Sequence, residues 1–469
     1  MPDDSKTDYA HKSFWLETCG DDLTPRVSLE GSTTVDVAIV GGGLSGLWTA
    51  YYLAKSHPDL SIAMVERDIV GFGASGRNGG WCTPKFSLTP SGAIRRFGID
   101  TAKRMQAAMY ESVDEVERVI QEENLDVHWH RGGAMQVTLG EYGVPILEKW
   151  MKMYAALGLE SHYQWWDAEE AAAHVRIVGL RAALYNRDTA VLHPGRLVRQ
   201  LARTVERLGV RIYERTPALR IKAGEGERPA VIETDRGRLE ARLAAVIAAE
   251  AYVSEIRTFH RAVVPIYSSI VLTEPLADDV WKEIGWAGRE AVGSTRLSID
   301  YLQRTADGRI LFGGRGEPYH YGSRIKPQYE SSPDVTEALV RLAKTWFPVL
   351  KDIRFTHAWA GPLGVPRDWL PNLWYDPLRK LAGAWGYVGQ GVSTTNLAGR
   401  VLAGLIAEKE GEWADLPMVQ HTSPPWEPEP LRWLGIRYVQ AGLARVDRQA
   451  EMTGRGPQGR TLAERLQEH

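Results

Sequence analysis

The segment that most constrains this chain lies between residues 35 and 80. Val35 to Val40 is a short apolar run of strand composition, and Gly41, Gly43 and Gly46 follow it in a GxGxxG spacing. Leu44 and Ser45 sit inside that turn, and Leu47 to Leu53 reads as the helix behind it. A second apolar strand, Ile62 to Val65, ends at Glu66, with Arg67 next in line. Glycines so placed permit a tight turn, close approach of the backbone to a pyrophosphate, and close packing of helix on strand. The free N–H groups and positive dipole of a helix N-terminus suit phosphate charge. A carboxylate at the end of the second strand accepts hydrogen bonds from ribose hydroxyls. A lone GxGxxG is weak evidence. Strand, glycines, helix, strand and acid in this order define a dinucleotide-binding unit.

Just past the acid stands GFGASGRNGG, Gly71 to Gly80, whose small residues give a backbone able to press against a flat ring. Alone, the block would read as a flexible surface loop. Further along come LHPGRLVRQLARTVERLGVRIYERTPAL, YLQRTADGRILFGGR, WAGPLGVPRDWLP and GYVGQGVSTTNLAGR. With GGGLSGLWTAYYL and VERDIVGFGASGRNGG, these segments make the chain resemble the flavoproteins of the D-amino-acid oxidase superfamily over about residues 10 to 410. The likeness is strongest to the branch of glycine, sarcosine and γ-glutamylputrescine oxidases. It implies FAD as cofactor and no use of NAD. It assigns Gly73, Ala74, Ser75, Arg77, Asn78, Gly79, Gly80 and Trp81 to the flavin, with Ala218 holding the adenine through its backbone. Gly361, Gly389, Gly391, Val392, Ser393 and Thr394 are expected at the flavin ring, where a strand–turn–helix presents a helix N-terminus to the pyrimidine edge. Relatives that attach flavin through a cysteine carry it in another part of the chain. Non-covalent FAD is therefore expected, with Cys82 a buried free thiol.

Composition excludes several classes. The net charge of −3 gives no electrostatic reason for a nucleic-acid partner. Two cysteines make no disulfide framework and suit a reducing compartment. The N-terminus lacks an apolar signal core, no 18-residue apolar run occurs, and a cytoplasmic location is expected. No metal-ligand pattern is read. No second GxGxxG with a following acid offers a docking site for NAD(P)H, so the substrate itself is expected to supply the hydride.

The fold class is α/β, α+β overall: a Rossmann-like FAD-binding domain with an interleaved antiparallel-sheet substrate domain. Residues 1–32 read as an extended arm. The FAD domain takes 33–90, 176–259 and 355–410, and the substrate domain 91–175 and 260–354. Strands are expected at Val231 to Thr234, Arg238 to Arg242 and Ala245 to Ala248, and helices at Ile94 to Glu122, His193 to Leu208 and Val335 to Phe347. Residues 411–469 hold a proline-rich linker, Pro417 to Pro430, and an amphipathic helix. Within residues 431–448 apolar Leu434, Ile436, Val439 and Leu443 alternate with Arg432, Arg437 and Arg445. That helix packs on the body or a partner subunit, or lies on a membrane surface.

The resemblance implies oxidation of a C–N bond to an imine by hydride transfer to flavin N5. Hydrolysis to a carbonyl product and an amine or ammonia follows, with oxygen or a quinone as electron acceptor. Amino-acid-oxidising relatives clamp the substrate carboxylate with an Arg in a GxRP motif and a second Arg in a GxxRxG loop. Here the matching positions hold Leu363 and Gly389. The substrate expected is therefore a primary or secondary amine. Arg315 and Arg367 are alternative carboxylate ligands, and His357 and Trp359 are candidates near the flavin face. The rival readings are an oxidase or dehydrogenase of a D- or N-methyl amino acid, and a flavin-binding accessory protein.

Overall fold

The computed structural model describes residues 8–408, 411–459 and 461–467. Its first sheet runs Asn372–Asp376, Leu381–Trp385, Gly237–Ile247, Gly31–Val40, Ile62–Val65 and Arg211–Tyr213. The central pairings are parallel, and a hairpin of Arg220–Lys222 and Ala230–Glu233 extends antiparallel from Gly237–Ile247. Parallel strands covered on both faces read as continuous apolar runs. Val37 to Ile39 are accordingly fully buried. On one face lie the helices Leu44–Ser56, Ile99–Glu122, Pro194–Arg207 and Gly391–Ala403, which share one apolar core with the strands.

The second sheet runs Phe355–Val365, Val264–Thr273, Ile310–Arg315, Asp300–Arg304, Ala291–Ser294, Ala134–Thr138, Ala182–Asn186 and Tyr163–Asp167. It is antiparallel except where Ala291–Ser294 meets Ala134–Thr138. Helices Asp278–Ile284 and Pro333–Trp346 cover its outer face through Trp281, Leu339 and Trp346.

Several boundaries differ from the sequence reading. Ala182–Asn186 and Phe355–Val365, both assigned to the FAD domain, pair within the second sheet. Ile99–Glu122, assigned to the substrate domain, buries Met105, Met109, Val113 and Val116 in the core of the first. An apolar run reports that a strand or helix is buried, but not against which sheet. The two strands expected across 238–248 are one, Gly237–Ile247, whose pairing with Gly31–Val40 carries on through a register shift between Ala241 and Ala244. Ile94 to Glu122 divides into Pro90–Phe97 and Ile99–Glu122 at Gly98, whose φ is +83°. The N-terminal arm folds into a helical turn, Phe14–Glu17, capped by the Ser13 hydroxyl, and it buries Trp15.

Helices Leu44–Ser56 and Gly391–Ala403 cross at Gly399, where a Cβ would come within 2.6 Å of the Trp48 Cβ. Gly399→Ala forces the helices apart at the point where one begins at the dinucleotide turn. An overpacking penalty of about 1–3 kcal/mol is expected. Gly435→Ala, in a helix with nothing within 4 Å of the added methyl, should be neutral or stabilising by up to about 1 kcal/mol. Thermal unfolding of the two variants side by side measures the contrast, and equal midpoints would refute the packing role.

Candidate active site

A cavity of about 1490 Å³ is lined by residues of both sheets, by the glycine turn and by the C-terminal helix Leu431–Thr453. The glycine turn shows why its spacing is required. Gly41 has φ +109°, and a Cβ there would stand 2.5 Å from the Ala248 carbonyl at the end of the neighbouring strand. A Cβ on Gly46 would strike the Gly41 carbonyl oxygen. The Leu44 N–H donates to Ser75 Oγ at 2.9 Å, which joins the turn to the second glycine block. Glu66 sits at the cavity edge and accepts from the Gly42 N–H at 2.7 Å and the Asp68 N–H at 3.0 Å. Burial pushes its carboxyl up to about 7, against those two hydrogen bonds. Ala218 lines the same region, and Arg67 lies over the Tyr252 ring and pairs with Glu255.

The glycine block is a compact, bonded turn. Asn78 Nδ2 donates to the Ala74 and Ser75 carbonyls, and its Oδ1 accepts from the Gly80 N–H at 2.8 Å. Gly79 is pressed by the Tyr301 ring of the second sheet. Trp81 Nε1 donates to the Leu302 carbonyl at 3.2 Å. The buried Arg77 spends its guanidinium on Gly73 O, Ala360 O, Tyr252 Oη and Glu330, so what it offers the cavity is its flank.

The helix Gly391–Ala403 points its N-terminus into the cavity through Gln390, Gly391 and Val392. Ser393 and Thr394 turn away instead. Ser393 Oγ donates to Thr83 O at 2.6 Å, and Thr394 Oγ1 to Gln390 O at 2.7 Å. Tyr387 Oη accepts from Ser45 Oγ at 2.9 Å, which ties this helix to the dinucleotide turn. Gly361 and Leu363 line the cavity from Phe355–Val365, and Leu363 Cδ1 lies 3.6 Å from where a Gly389 Cβ would stand. The two positions expected to lack an arginine are thus side by side.

His357 and Trp359 precede Gly361 on the same strand, but they do not line the cavity. The N-terminal arm covers them. Phe14 packs on the His357 ring with centroids 5.2 Å apart, His357 Nε2 faces Glu17, and Trp359 Nε1 donates to the Arg77 carbonyl. Strand position alone does not show what covers a strand's end. Arg367 lines the cavity but pairs with Glu427 at 3.0 Å and lies over Trp426. Arg315 is different. Its Nη1 is buried without a hydrogen-bond partner among the described residues.

Three features escaped the sequence reading. Lys85 lines the cavity with no hydrogen bond or ion pair among the described residues, and burial lowers its ammonium to about 8. Its place four residues past Trp81, beside the glycine block, was the available signal. Arg296 also lines the cavity, with its Nε ion-paired to Glu451 and its Nη1 without a hydrogen-bond partner among the described residues. The third is a wall from the C-terminal segment: Leu431, Ile436, Val439, Gln440 and Leu443, then Gly456 to Gly459, all face the cavity. The helix leaves Leu434 and Tyr438 exposed on its other side. Among the described residues no helix is long and apolar enough to cross a membrane.

A glycine turn without room for side chains, a carboxyl at the second strand's end and a helix N-terminus at the far side fit a flavin dinucleotide. Such a site is that of a flavoprotein oxidoreductase. The comparisons with known proteins agree. The model of the DAO family, FAD dependent oxidoreductase, matches residues 36–405, and the chain belongs to that family and binds FAD. It is 28% identical over 421 residues to the γ-glutamylputrescine oxidoreductase of Escherichia coli strain K12, covering 87% of this chain and 92% of that protein. It is 24% identical to a glycine oxidase of Bacillus licheniformis over 79% of this chain and 92% of that one. The crystal structure of glycine oxidase from Geobacillus kaustophilus superposes with a TM-score of 0.68 at 20% identity, over 83% of this chain and all (100%) of that chain.

Glu66→Ala removes an acceptor and leaves the Gly42 and Asp68 N–H groups unpaired. FAD affinity should fall by about 1.5–3 kcal/mol. Full FAD occupancy after extensive dialysis of the variant would exclude the role. Cys82, buried and absent from the cavity lining, leaves no thiol in reach of the flavin. Acid precipitation should therefore leave a yellow supernatant over a colourless pellet.

Proposed function

We propose that this flavoenzyme oxidises the C–N bond of an amine that lacks an α-carboxylate, giving an imine that water hydrolyses. The observation that carries this is the apolar pair Leu363 and Gly389, adjacent in the cavity where amino-acid-oxidising relatives place arginines. A small α-amino acid would find no bidentate partner there. The name of the E. coli relative, a γ-glutamylputrescine oxidoreductase, supports an amine donor. When bound, FAD supplies the hydride acceptor.

This chain's residues have four tasks. Glu66, the Gly41–Gly46 turn and Ala218 hold the dinucleotide. The N-terminus of Gly391–Ala403 sets a positive dipole against negative charge at the ring. Tyr267, Tyr301, Leu363 and Trp369 line a largely apolar pocket that excludes water from the reacting carbon. Lys85, near 8, can exchange a proton around neutral pH, where the donor amine must lose one.

Anaerobic flavin bleaching tests the reading. Amines without an α-carboxylate should reduce the flavin faster than glycine, sarcosine or D-alanine at equal concentration. Leu363→Arg should shift preference toward α-amino acids, since each charge-assisted bond is worth about 1.5–3 kcal/mol. Fastest bleaching of the wild type by small amino acids would reverse the assignment and favour the amino-acid reading, with Arg315 as the carboxylate ligand.

A further inference from the structure

Arg315 ends the strand Ile310–Arg315, and its register partner is Ser268, which in turn pairs with Gly361. Cross-strand partners project to the same face, and all three line the cavity. With neighbouring strands about 4.8 Å apart, the Arg315 Cα lies two strands, roughly 10 Å, from the strand that carries Leu363. The Arg315 backbone thus stands apart from the Leu363–Gly389 pair along the sheet, and its guanidinium bonds toward Leu297.

Among the described residues its Nη2 donates only to the Leu297 carbonyl, at 3.3 Å, its Nη1 is buried without a hydrogen bond, and the charge that acts on it is that of Asp447. Arg296 lines the cavity beside it, its Nε ion-paired with Glu451 at 3.4 Å and its Nη1 without a hydrogen-bond partner among the described residues. Two acids close to these cations are committed elsewhere. Asp447 accepts from the Leu297 and Ser298 N–H groups at 2.9 and 2.7 Å. Asp300 accepts from the Ser294 N–H and hydroxyl, each at 2.9 Å. Buried guanidinium N–H groups without acceptors are costly, and a planar carboxylate matches their fork. Part of the cavity wall comes from beyond the family match at 36–405: Val439, Gln440, Leu443 and the stretch Gly456 to Gly459.

We infer that Arg315 and Arg296 receive a carboxylate at the far end of an extended substrate whose amine is oxidised beside Leu363 and Gly389. The inference rests on the amine reading above, and it makes the substrate class an amine with a remote carboxylate. The C-terminal segment, by enclosing the two arginines, sets the length of chain that fits between the two ends.

The test compares anaerobic flavin reduction by an ω-amino carboxylate and by the n-alkylamine of the same chain length. Wild-type kcat/KM should favour the ω-amino carboxylate by roughly tenfold or more, mainly through KM. Arg315→Gln and Arg296→Gln should each shrink that ratio, and Arg315→Lys should retain part of it. FAD occupancy and thermal midpoint of each variant show that it is folded. A straight-chain monocarboxylate should perturb the wild-type flavin spectrum and lose that effect in Arg315→Gln. Equal use of the two amines by the wild type, or an unchanged ratio in both glutamine variants, overturns the inference while leaving amine oxidation standing. Reduction by small α-amino acids alone overturns both.

Discussion

The buried guanidinium of Arg77 is the contact on which the two halves of this molecule depend. It bonds the glycine block at Gly73, the second sheet at Ala360, the Tyr252 hydroxyl beyond the first sheet, and Glu330. The side chain is fully buried (0% exposed), and its ring contact with Phe72 adds a cation–π term. Taking such a charge out of water costs several kcal/mol, repaid only when every N–H has a partner. All four groups must therefore be in place together, and the cavity wall forms as one cooperative unit. Glu250 does the same with opposite sign, accepting from Gly364 and Gly386 and joining the second sheet's edge strand to the loop before the Gly391–Ala403 helix.

Much of the cofactor half was legible in the sequence because its physics is local. Gly41, Gly46 and Glu66 are fixed by a turn, a close approach and a strand end within some thirty residues; the two glycines have no room for a Cβ, and Glu66 accepts from the Gly42 N–H of the turn. The helix Pro194–Arg207 was legible from its apolar spacing, with His193 as its cap. The substrate half was less so. Its lining comes from strands whose pairing partner decides which face they present, and no run of residues announces that partner. His357 and Trp359 illustrate the limit, since the residues that cover them, Phe14 and Trp15, lie at the other end of the chain. Arg296 and Lys85 were missed for a related reason. A cation is unremarkable in sequence, and only its place in the wall of the folded cavity singles it out.

The C-terminal helix closes one side of the cavity from outside the stretch that the family match covers. Helix Leu431–Thr453 turns Ile436, Val439 and Leu443 toward the cavity, while Asp447 fastens the loop at Leu297 and Ser298. The flavin-binding elements lie within the family match, and this wall lies outside it. One wall of the cavity thus comes from a stretch of chain separate from the glycine turn and the Gly391–Ala403 helix.

The parallel pairing of Gly31–Val40 with Gly237–Ile247 has a temporal consequence. The first strand of the dinucleotide turn has its Gly41 seated against Ala248, a residue made long after it on the ribosome. Until then one edge of that strand has no partner, and the glycine turn has no floor. The nascent chain must therefore carry an unfinished, apolar strand through the synthesis of both Ala134–Thr138 and Ala182–Asn186, which belong to the other sheet. Non-local pairing of this kind folds slowly and exposes sticky edges.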